Sequence, residues 1–132
     1  QLSMYIVPQV LRQIAEEGRV TLRNGAVMRD LLYVDDCVDV VLKLVVEPEA
    51  ADSTFNIGSG QIVSISDIAK AGVQVSGRKD VEITDLEEII EYSPTAITAD
   101  IRKVQSTVDW YPKVDLVEGL KRMWEFDVKQ SS

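Results

Sequence analysis

The sequence predicts a single α/β domain, and two observations carry this prediction. Segments with apolar residues at helical spacing alternate along the chain with short strand-like segments that end in turn residues. The chain has 132 residues and is 45% apolar, which is enough for one hydrophobic core without disulfide or metal staples. The body of the domain is expected to span residues 1–128, followed by a polar tail at 129–132.

The first elements follow from local patterns. Apolar residues spaced three and four apart over 4–17 predict a helix, with Pro8 in its first turn and Gly18 as its stop signal. The segment 20–22 predicts a short strand, which the turn pair at 24–25 closes.

A second helix is expected after an extended segment at 31–34. Asp35 and Asp36 are expected to cap its first amides, because a carboxylate accepts hydrogen bonds there. Pro48 and the polar residues after it are expected to end the helix. The residues expected to bury it are Val38, Val41, Leu42 and Val45.

The remaining elements continue the alternation. A strand is expected at 54–57, stopped by the turn at 58–60. Ser64 and Asp67 have the spacing of a capping box that opens a third helix. Three further elements are a strand at 81–83 and helices at 100–108 and 116–126.

Composition excludes several classes of function. The formal net charge of −8 disfavours binding to a nucleic-acid backbone, and the absence of His removes imidazole catalysis and His-based metal sites. One Cys makes no internal disulfide, which agrees with a cytoplasmic location. No apolar run reaches the ~20 residues of a membrane helix. The chain begins with Gln1 rather than Met, so we expect a removed leader or tag, or a piece of a longer polypeptide.

Two motifs leave a functional and a structural interpretation open. The glycines of 58–60 suit a phosphate loop, but Val63 replaces the next glycine of the dinucleotide fingerprint, so a strand-ending turn is favoured. Arg29 offers a planar fork of donors for phosphate or carboxylate oxygens. The alternative is an internal ion pair of Arg29 with Asp30, Asp35 or Asp36.

Five motifs in order resemble the extended short-chain dehydrogenase/reductase family, the NAD-dependent epimerases and dehydratases of nucleotide sugars. Residues 28–36 resemble its Arg-Asp-x-x-Tyr-Val-Asp-Asp signature, and 55–60 its Asn-Ile-Gly-Ser-Gly strand and turn. Residues 99–103, 110–114 and 116–120 resemble its Ala-Asp-x-Ser-Lys, Trp-x-Pro-Lys and Leu-Glu-Glu-Gly-Leu elements. The resemblance implies the small C-terminal substrate-binding domain of such an enzyme, lacking the Rossmann half.

The family's catalytic elements are absent from the sequence. Its members carry a Gly-x-x-Gly-x-x-Gly loop for NAD(P) and a Tyr-x-x-x-Lys pair, in which Tyr is the general acid/base. The four tyrosines here are followed at that spacing by Gln9, Cys37, Ala96 and Asp115. The resemblance therefore implies that this chain binds no cofactor and is not catalytic by itself, whereas the intact parent enzyme would use NAD(P).

The resemblance also implies where a substrate binds. In the family the Arg of the Arg-Asp motif binds the nucleotide-sugar diphosphate, which makes Arg29 the first candidate; Asn56 is a second. The strand that contains Leu22 is implied to lie near the nucleotide base. One departure is that the family's Arg-x-Gly-Asp element, whose Arg completes the diphosphate clamp, is replaced at 88–93 by residues without Arg. Arg102 and Lys103 are the cations of the neighbouring element at 99–103.

Two functions from different classes remain. The first is the nucleotide-sugar-binding part of an NAD-dependent epimerase, an isomerase, or of a dehydratase. The second is a stand-alone binding or self-assembling module derived from that fold. In the resembling enzymes the helix after Asp36 and the strand at 55–57 pack on the nucleotide-binding half, so apolar surface is expected to be exposed here. The expected partners are a nucleotide-diphosphate sugar, and the missing Rossmann half or another copy of the chain.

Overall fold

The protein has a mixed α/β fold in the computed structural model, which describes residues 2–89 and 98–128. The predicted polar tail at 129–132 lies outside the described residues. The helices are α1 (Leu2–Arg12), α2 (Val34–Val45), α3 (Ile65–Ser76), α4 (Arg102–Thr107) and α5 (Leu116–Met123). The strands are β1 (Arg19–Leu22), β2 (Met28–Arg29), β3 (Val63–Ser64) and β4 (Glu82–Asp85). A short 3₁₀ turn covers Pro48–Ala50.

Two small sheets hold distant segments together. β1 pairs with β4 in parallel, with Arg19 opposite Glu82 and Leu22 opposite Asp85. β2 pairs with β3 antiparallel, with Met28 opposite Ser64. In each ladder, other elements separate the two strands along the chain. The second ladder holds β2 beside β3, the strand that leads into α3.

α1 is longer than the periodicity predicts. It begins at Leu2 and continues as a π-helical turn over Gln13–Glu17, so Pro8 lies inside the helix rather than in its first turn. The predicted stop at Gly18 is confirmed: its φ of 68° is left-handed, a conformation that glycine adopts without a Cβ clash.

Three buried clusters make up the core. The first packs α1 and α3 on β1, and its fully buried members are Val10, Ile14, Val20, Leu22 and Ala69. The second joins α1, α3 and α5 through Leu11, Ala71 and Leu120. The third joins α2 to the C-terminal region through Val40, Val104 and Trp110.

The predicted cap and buried stripe of α2 are both wrong. Its N-cap is Tyr33, without a side-chain capping bond, and Asp36 points into the protein instead of capping the helix. The residues predicted to be buried are exposed to 44–76%, namely Val38, Val41, Leu42 and Val45. The side that faces the core carries Asp36 and Val40, because the third cluster lies on that side.

The segment at 54–57 forms no regular strand, contrary to the prediction. A strand needs a neighbour for its backbone groups, and none of the described residues pairs with it. Lys103 holds this segment in place instead. Its Nζ donates to the Thr54 carbonyl at 2.5 Å and lies 4.8 Å from the centre of the Phe55 ring.

The C-terminal elements follow the prediction more closely. The capping box of α3 is confirmed, because Ser64 and Asp67 each accept the other's backbone amide. Asp115 caps α5 by accepting the Glu118 amide at 2.8 Å. α4 begins after Ile101, two residues later than predicted; Asp100 nevertheless accepts the Arg102 amide at 3.1 Å. Among the described residues no helix is long and apolar enough to cross a bilayer.

Candidate functional site

A cleft of about 990 Å³ opens between α1, α5 and the chain that leads from β2 into α2. Its lining includes the segment from Arg29 to Val34, the segment 112–116 and residues of α5. Val7 and Pro8 of α1 and Ile101 before α4 also line it. A largely apolar cleft with a few polar groups is the usual form of a small-molecule site.

Asp30 anchors the Arg29 wall of this cleft. Its carboxylate accepts five hydrogen bonds: from the Ser59 amide (2.8 Å) and hydroxyl (2.5 Å), the Gly60 amide (3.2 Å), the Thr98 hydroxyl (3.1 Å) and the Ala99 amide (3.0 Å). These donors belong to two loops that are far from β2 in sequence. One carboxylate therefore ties the end of β2 to both loops.

The environment of Asp30 favours its ionised form. Partial burial acts to raise the pKa, but the hydrogen bonds from the Ser59 side chain, the Ala99 and Ser59 amides and the Thr98 hydroxyl together hold it below the ordinary value of 3.8. The charge is therefore a structural part of the site at neutral pH.

The same geometry agrees with the turn interpretation of residues 58–60. The amides of Ser59 and Gly60 already donate to Asp30, so an internal carboxylate occupies the position that a phosphate would take in a phosphate loop. Gly58 allows this approach. A Cβ on Gly58 would lie 2.6 Å from the Ala99 Cβ and 2.9 Å from a carboxylate oxygen of Asp30.

Arg29 lines the cleft next to this anchor. It is half-buried, and its Nη1 donates to the Met28 carbonyl at 2.8 Å. Pairing of Arg29 with Val63 across the β2–β3 ladder fixes its backbone. Two loops, at 59–60 and 98–99, supply five donors to the neighbouring Asp30 carboxylate.

Asp36 fixes the part of the cleft lining at 112–116. Its side chain is 4% exposed, and one carboxylate oxygen accepts the amides of Lys113 (3.1 Å) and Val114 (2.9 Å). The indole Nε1 of Trp110 donates to the Asp36 carbonyl at 3.1 Å. These bonds attach the Trp-x-Pro-Lys segment to the first turn of α2, and they place Lys113 in the cleft wall.

Sequence reasoning missed a second cationic group in the cleft. The guanidinium of Arg122 lies 5.4 Å from the centre of the Tyr33 ring, and both residues line the cleft. Its Nε donates to Glu118 at 3.0 Å, and Nη1 lies 3.8 Å from Asp35. The hydrogen bond that Arg122 donates to Glu118 raises the pKa of Arg122. The only sequence signal was the one-turn spacing of Glu118 and Arg122, which is common on helix surfaces.

The other predicted binding residues lie outside the lining of the cleft. The Leu22 side chain is 2% exposed in the first core cluster, and its carbonyl accepts the Leu86 amide at 2.8 Å. Asn56 is exposed in the segment at 54–57. Of the three predicted substrate-binding residues, only Arg29 lies in the cleft wall. Binding by any of the three stays a prediction.

Arg102 and Lys103 do not line the cleft either. Arg102 forms an exposed ion pair with Asp100 at 2.7 Å, and its hydrogen bonds lower the pKa of Asp100 to about 2. Lys103 is engaged with Thr54 and Phe55. Over the described ranges 2–89 and 98–128, no group of three or more acidic or thiol side chains has the arrangement of a metal site.

The model of the NAD-dependent epimerase/dehydratase family matches residues 3–58. The dTDP-L-rhamnose 4-epimerase of Burkholderia thailandensis is 31% identical over 111 residues, which cover 82% of this chain and 30% of that protein. The GDP-L-fucose synthase of Sinorhizobium fredii is 29% identical over 93% of this chain and 40% of its own length.

Solved structures agree. The UDP-glucuronic acid 4-epimerase of Bacillus cereus, in complex with a fluorinated UDP-sugar and NAD, matches with a TM-score of 0.82 and 26% identity over 96% of this chain. The UDP-glucose 4-epimerase of Thermotoga maritima, with UDP-glucose, matches with a TM-score of 0.79 and 25% identity. This chain is therefore similar to proteins of the NAD-dependent epimerase/dehydratase family over nearly its whole length. It spans 40% of the length of each of these two structures.

The described residues do not form a dinucleotide-binding loop at the glycine-rich turn 58–60. The amides of Ser59 and Gly60 hold Asp30, and no side chain fits at Gly58 without displacing Ala99. No chemical step is therefore assigned to NAD in this chain, and its predicted lack of a bound cofactor stays a prediction.

Proposed function

We propose that this chain is the C-terminal, nucleotide-sugar-binding part of an NAD-dependent epimerase or dehydratase and is not catalytic by itself. The substrate-binding domain corresponds to residues 1–128, and the Rossmann half belongs to the intact parent enzyme. The observation that carries the proposal is the position of Arg29 in the wall of the cleft, immediately before the Asp30 anchor. The relatives named above support it, since their names are those of enzymes that act on nucleotide sugars.

The chemistry of the cleft suits a nucleotide sugar in three respects. Arg29 supplies charge-assisted hydrogen bonds for a diphosphate, and its anchored neighbour keeps it in place. Apolar residues such as Leu32 and Ile101 give a surface for a base or sugar ring. Lys113 and Arg122 add further positive charges to the lining. In this proposal the chain binds and orients the substrate, while hydride transfer belongs to the parent's other half.

The proposal is tested by ligand binding to the 132-residue chain. Thermal unfolding and titration calorimetry with UDP-glucose, dTDP-glucose and GDP-mannose would detect binding of each nucleotide class. We expect one class to raise the melting temperature, and Arg29→Ala to abolish this gain. Arg102→Ala is the matched control, because Arg102 is an exposed arginine outside the cleft lining.

Binding that survives in Arg29→Ala would remove Arg29 from the site. If none of the three nucleotides binds while the chain remains folded, the proposed function is wrong for the isolated chain. Mutation of Asn56 to Ala in the same assay tests the second predicted residue, which lies outside the cleft lining.

A second candidate is a stand-alone binding or self-assembling module. The observation that favours it is the exposed apolar face of α2, which the core of this chain leaves uncovered. In the resembling enzymes the nucleotide-binding half covers this helix. A chain that self-associates but binds no nucleotide sugar would support this candidate over the first.

A further inference from the structure

An aromatic and a cationic side chain lie close together where α5 lines the cleft. A π-helical turn over Trp124–Val128 continues α5, so Phe126 follows Arg122 by about one turn of the helix. Both residues line the cleft. Phe126 is 66% exposed, so a ligand that covers its ring would gain free energy by removing apolar surface from water. We call Arg122, Phe126 and the neighbouring Tyr33 the α5 subsite.

Tyr33 brings the α5 subsite within reach of a ligand held by Arg29. Its ring lies directly on α5: a Cβ added at Gly119 would be 3.3 Å from the Tyr33 Cδ2, and the Arg122 guanidinium is 5.4 Å from the ring centre. Tyr33 and Arg29 are four positions apart in the chain, so their Cα atoms are at most about 14 Å from each other. A nucleotide sugar extends over a comparable distance. One such molecule can therefore contact Arg29 through its diphosphate and the α5 subsite through another group.

The charges around Arg122 favour a neutral group over a phosphate at the α5 subsite. Its Nε donates to Glu118 at 3.0 Å and its Nη1 is 3.8 Å from Asp35, so two carboxylates already balance the guanidinium charge. Asp115 at the start of α5 and Asp127 after its end also line the cleft. These carboxylates would repel a phosphate placed beside them. An uncharged ring that carries hydrogen-bond acceptors meets no such repulsion.

We propose that the α5 subsite binds the nucleobase of the substrate and prefers a base with a carbonyl edge, namely uracil, thymine or guanine. The base stacks on the exposed ring of Phe126. A guanidinium carries several N–H donors, and those that remain after the bond to Glu118 bind a carbonyl oxygen of the base. Adenine has an amino group and no carbonyl oxygen, so it binds less tightly. This inference rests on the proposed function, because it names the part of a nucleotide sugar that the subsite recognises.

Leu22, which the family resemblance implies to lie near the base, offers no surface for stacking. Its side chain is 2% exposed, and its carbonyl accepts the Leu86 amide. Arg29 and the α5 subsite, by contrast, line the same cleft. The position of the base is therefore assigned to α5 rather than to the strand that contains Leu22.

The base preference is tested by titration calorimetry of the 132-residue chain with UDP-glucose, dTDP-glucose, GDP-mannose and ADP-glucose. We expect at least one of the first three to bind roughly tenfold more tightly than ADP-glucose. Phe126→Ala should weaken binding of the preferred nucleotide sugar and of ADP-glucose alike, by roughly tenfold, because every base can stack on an aromatic ring. Arg122→Leu should weaken binding of the preferred nucleotide sugar alone. Leu keeps an aliphatic contact with Tyr33 but has no donor for a carbonyl oxygen.

Two matched controls lie outside the cleft lining. Val117→Ala shortens an exposed apolar side chain on the same helix, and Arg23→Ala removes an arginine that pairs with a glutamate, Glu88. Neither change should alter the affinity for any of the four nucleotide sugars. Circular dichroism establishes that each variant is folded.

The pattern of losses separates this inference from the proposed function. If Arg29→Ala abolishes binding while Phe126→Ala and Arg122→Leu leave it unchanged, the proposed function stands and the α5 subsite is wrong. Equal affinity for ADP-glucose, or an equal loss for all four nucleotide sugars in Arg122→Leu, would overturn the base preference. If the folded chain binds none of the four, the proposed function fails and this inference fails with it.

Discussion

The carboxylate of Asp30 accepts a hydrogen bond from the backbone amide of Ala99 at 3.0 Å, across 69 positions of the chain. The same side chain holds Ser59 and Gly60. The end of β2, the turn at 58–60 and residues 98–99 do not pair with one another as strands, yet all three meet at the Asp30 carboxylate. Because Arg29 is its neighbour on β2, the shape of the cleft wall depends on this charge.

Asp30→Asn should destabilise the protein by about 1–3 kcal/mol at neutral pH, because the Asn side chain has one acceptor oxygen where Asp has two. Its NH₂ group would also face backbone amides that themselves need an acceptor. The folded-state pKa of Asp30 is lowered, so its stabilisation is present above the unfolded value near 3.8 and is lost as pH falls through the lower folded value. The difference in the free energy of unfolding between Asp30→Asn and the wild type should therefore shrink as the pH falls through that range. Urea titrations from about pH 7 to about pH 3 measure it.

Asp52→Asn is the control for this pH dependence, because Asp52 is exposed in the turn after Pro48–Ala50, and Asn tolerates its left-handed backbone. It should leave the free energy of unfolding at neutral pH unchanged within error. If the free energy of unfolding differed between Asp30→Asn and the wild type by the same amount at every pH, the charge of Asp30 would not be what holds the two loops.

Gly58→Ala should disturb the same anchor by steric means. The added methyl group meets the Ala99 Cβ and an Asp30 oxygen below normal contact distance, which should cost about 1–3 kcal/mol. Chemical denaturation measures the loss, and Gln61→Ala in the same loop is the exposed control. In the Asp30→Asn background the cost should be smaller, because the anchor is already weakened. Equal costs in both backgrounds would mean that Gly58 acts independently of Asp30.

Asp36→Ala should detach the segment that carries Lys113. Two backbone amides lose their acceptor in a buried position, so we expect a loss of about 2–4 kcal/mol, and about 1 kcal/mol for Asp36→Asn, which retains an oxygen. Tryptophan fluorescence during urea unfolding measures both. Asp109→Ala is the control, because it is an exposed aspartate close to the same segment. If Asn and Ala cost the same, the acceptor oxygen of Asp36 is not responsible.

Ser64→Ala should remove half of the capping box and destabilise α3 by about 1 kcal/mol. Thermal unfolding followed by circular dichroism measures the effect. Ser106→Ala is the matched control, since its hydroxyl donates to the Lys103 carbonyl within a helix and caps no N-terminus. A loss no larger than that of the control would contradict the capping role.

Features with local causes could be predicted from the sequence. Gly18 ends the first helix because its backbone is left-handed, and Ser64 opens α3 because its side chain reaches an amide three residues away. Both depend on neighbours within a few positions. The α/β class and the family resemblance were predictable for the same reason, since short motifs in order carry them.

Features that depend on distant partners could not be predicted. The donors to Asp30 come from two loops far along the chain, and the burial of Asp36 depends on the amides of Lys113 and Val114. The orientation of α2 was predicted wrongly because periodicity shows that a helix has an apolar side but not what faces it. Here the core takes the side with Val40, and Val41 remains outside.

The two ladders are nested along the chain, and this has a consequence for how the protein folds. β1 and β4 enclose β2 and β3, so pairing of Met28 with Ser64 shortens the loop that must close before Arg19 meets Glu82. Closing the inner ladder first costs less chain entropy than closing the outer one directly. Non-local strand pairing of this kind slows folding relative to a helical bundle of the same size. The order of assembly is therefore expected to run from the inner ladder outward, with the parallel β1–β4 pair as the last backbone contact to form.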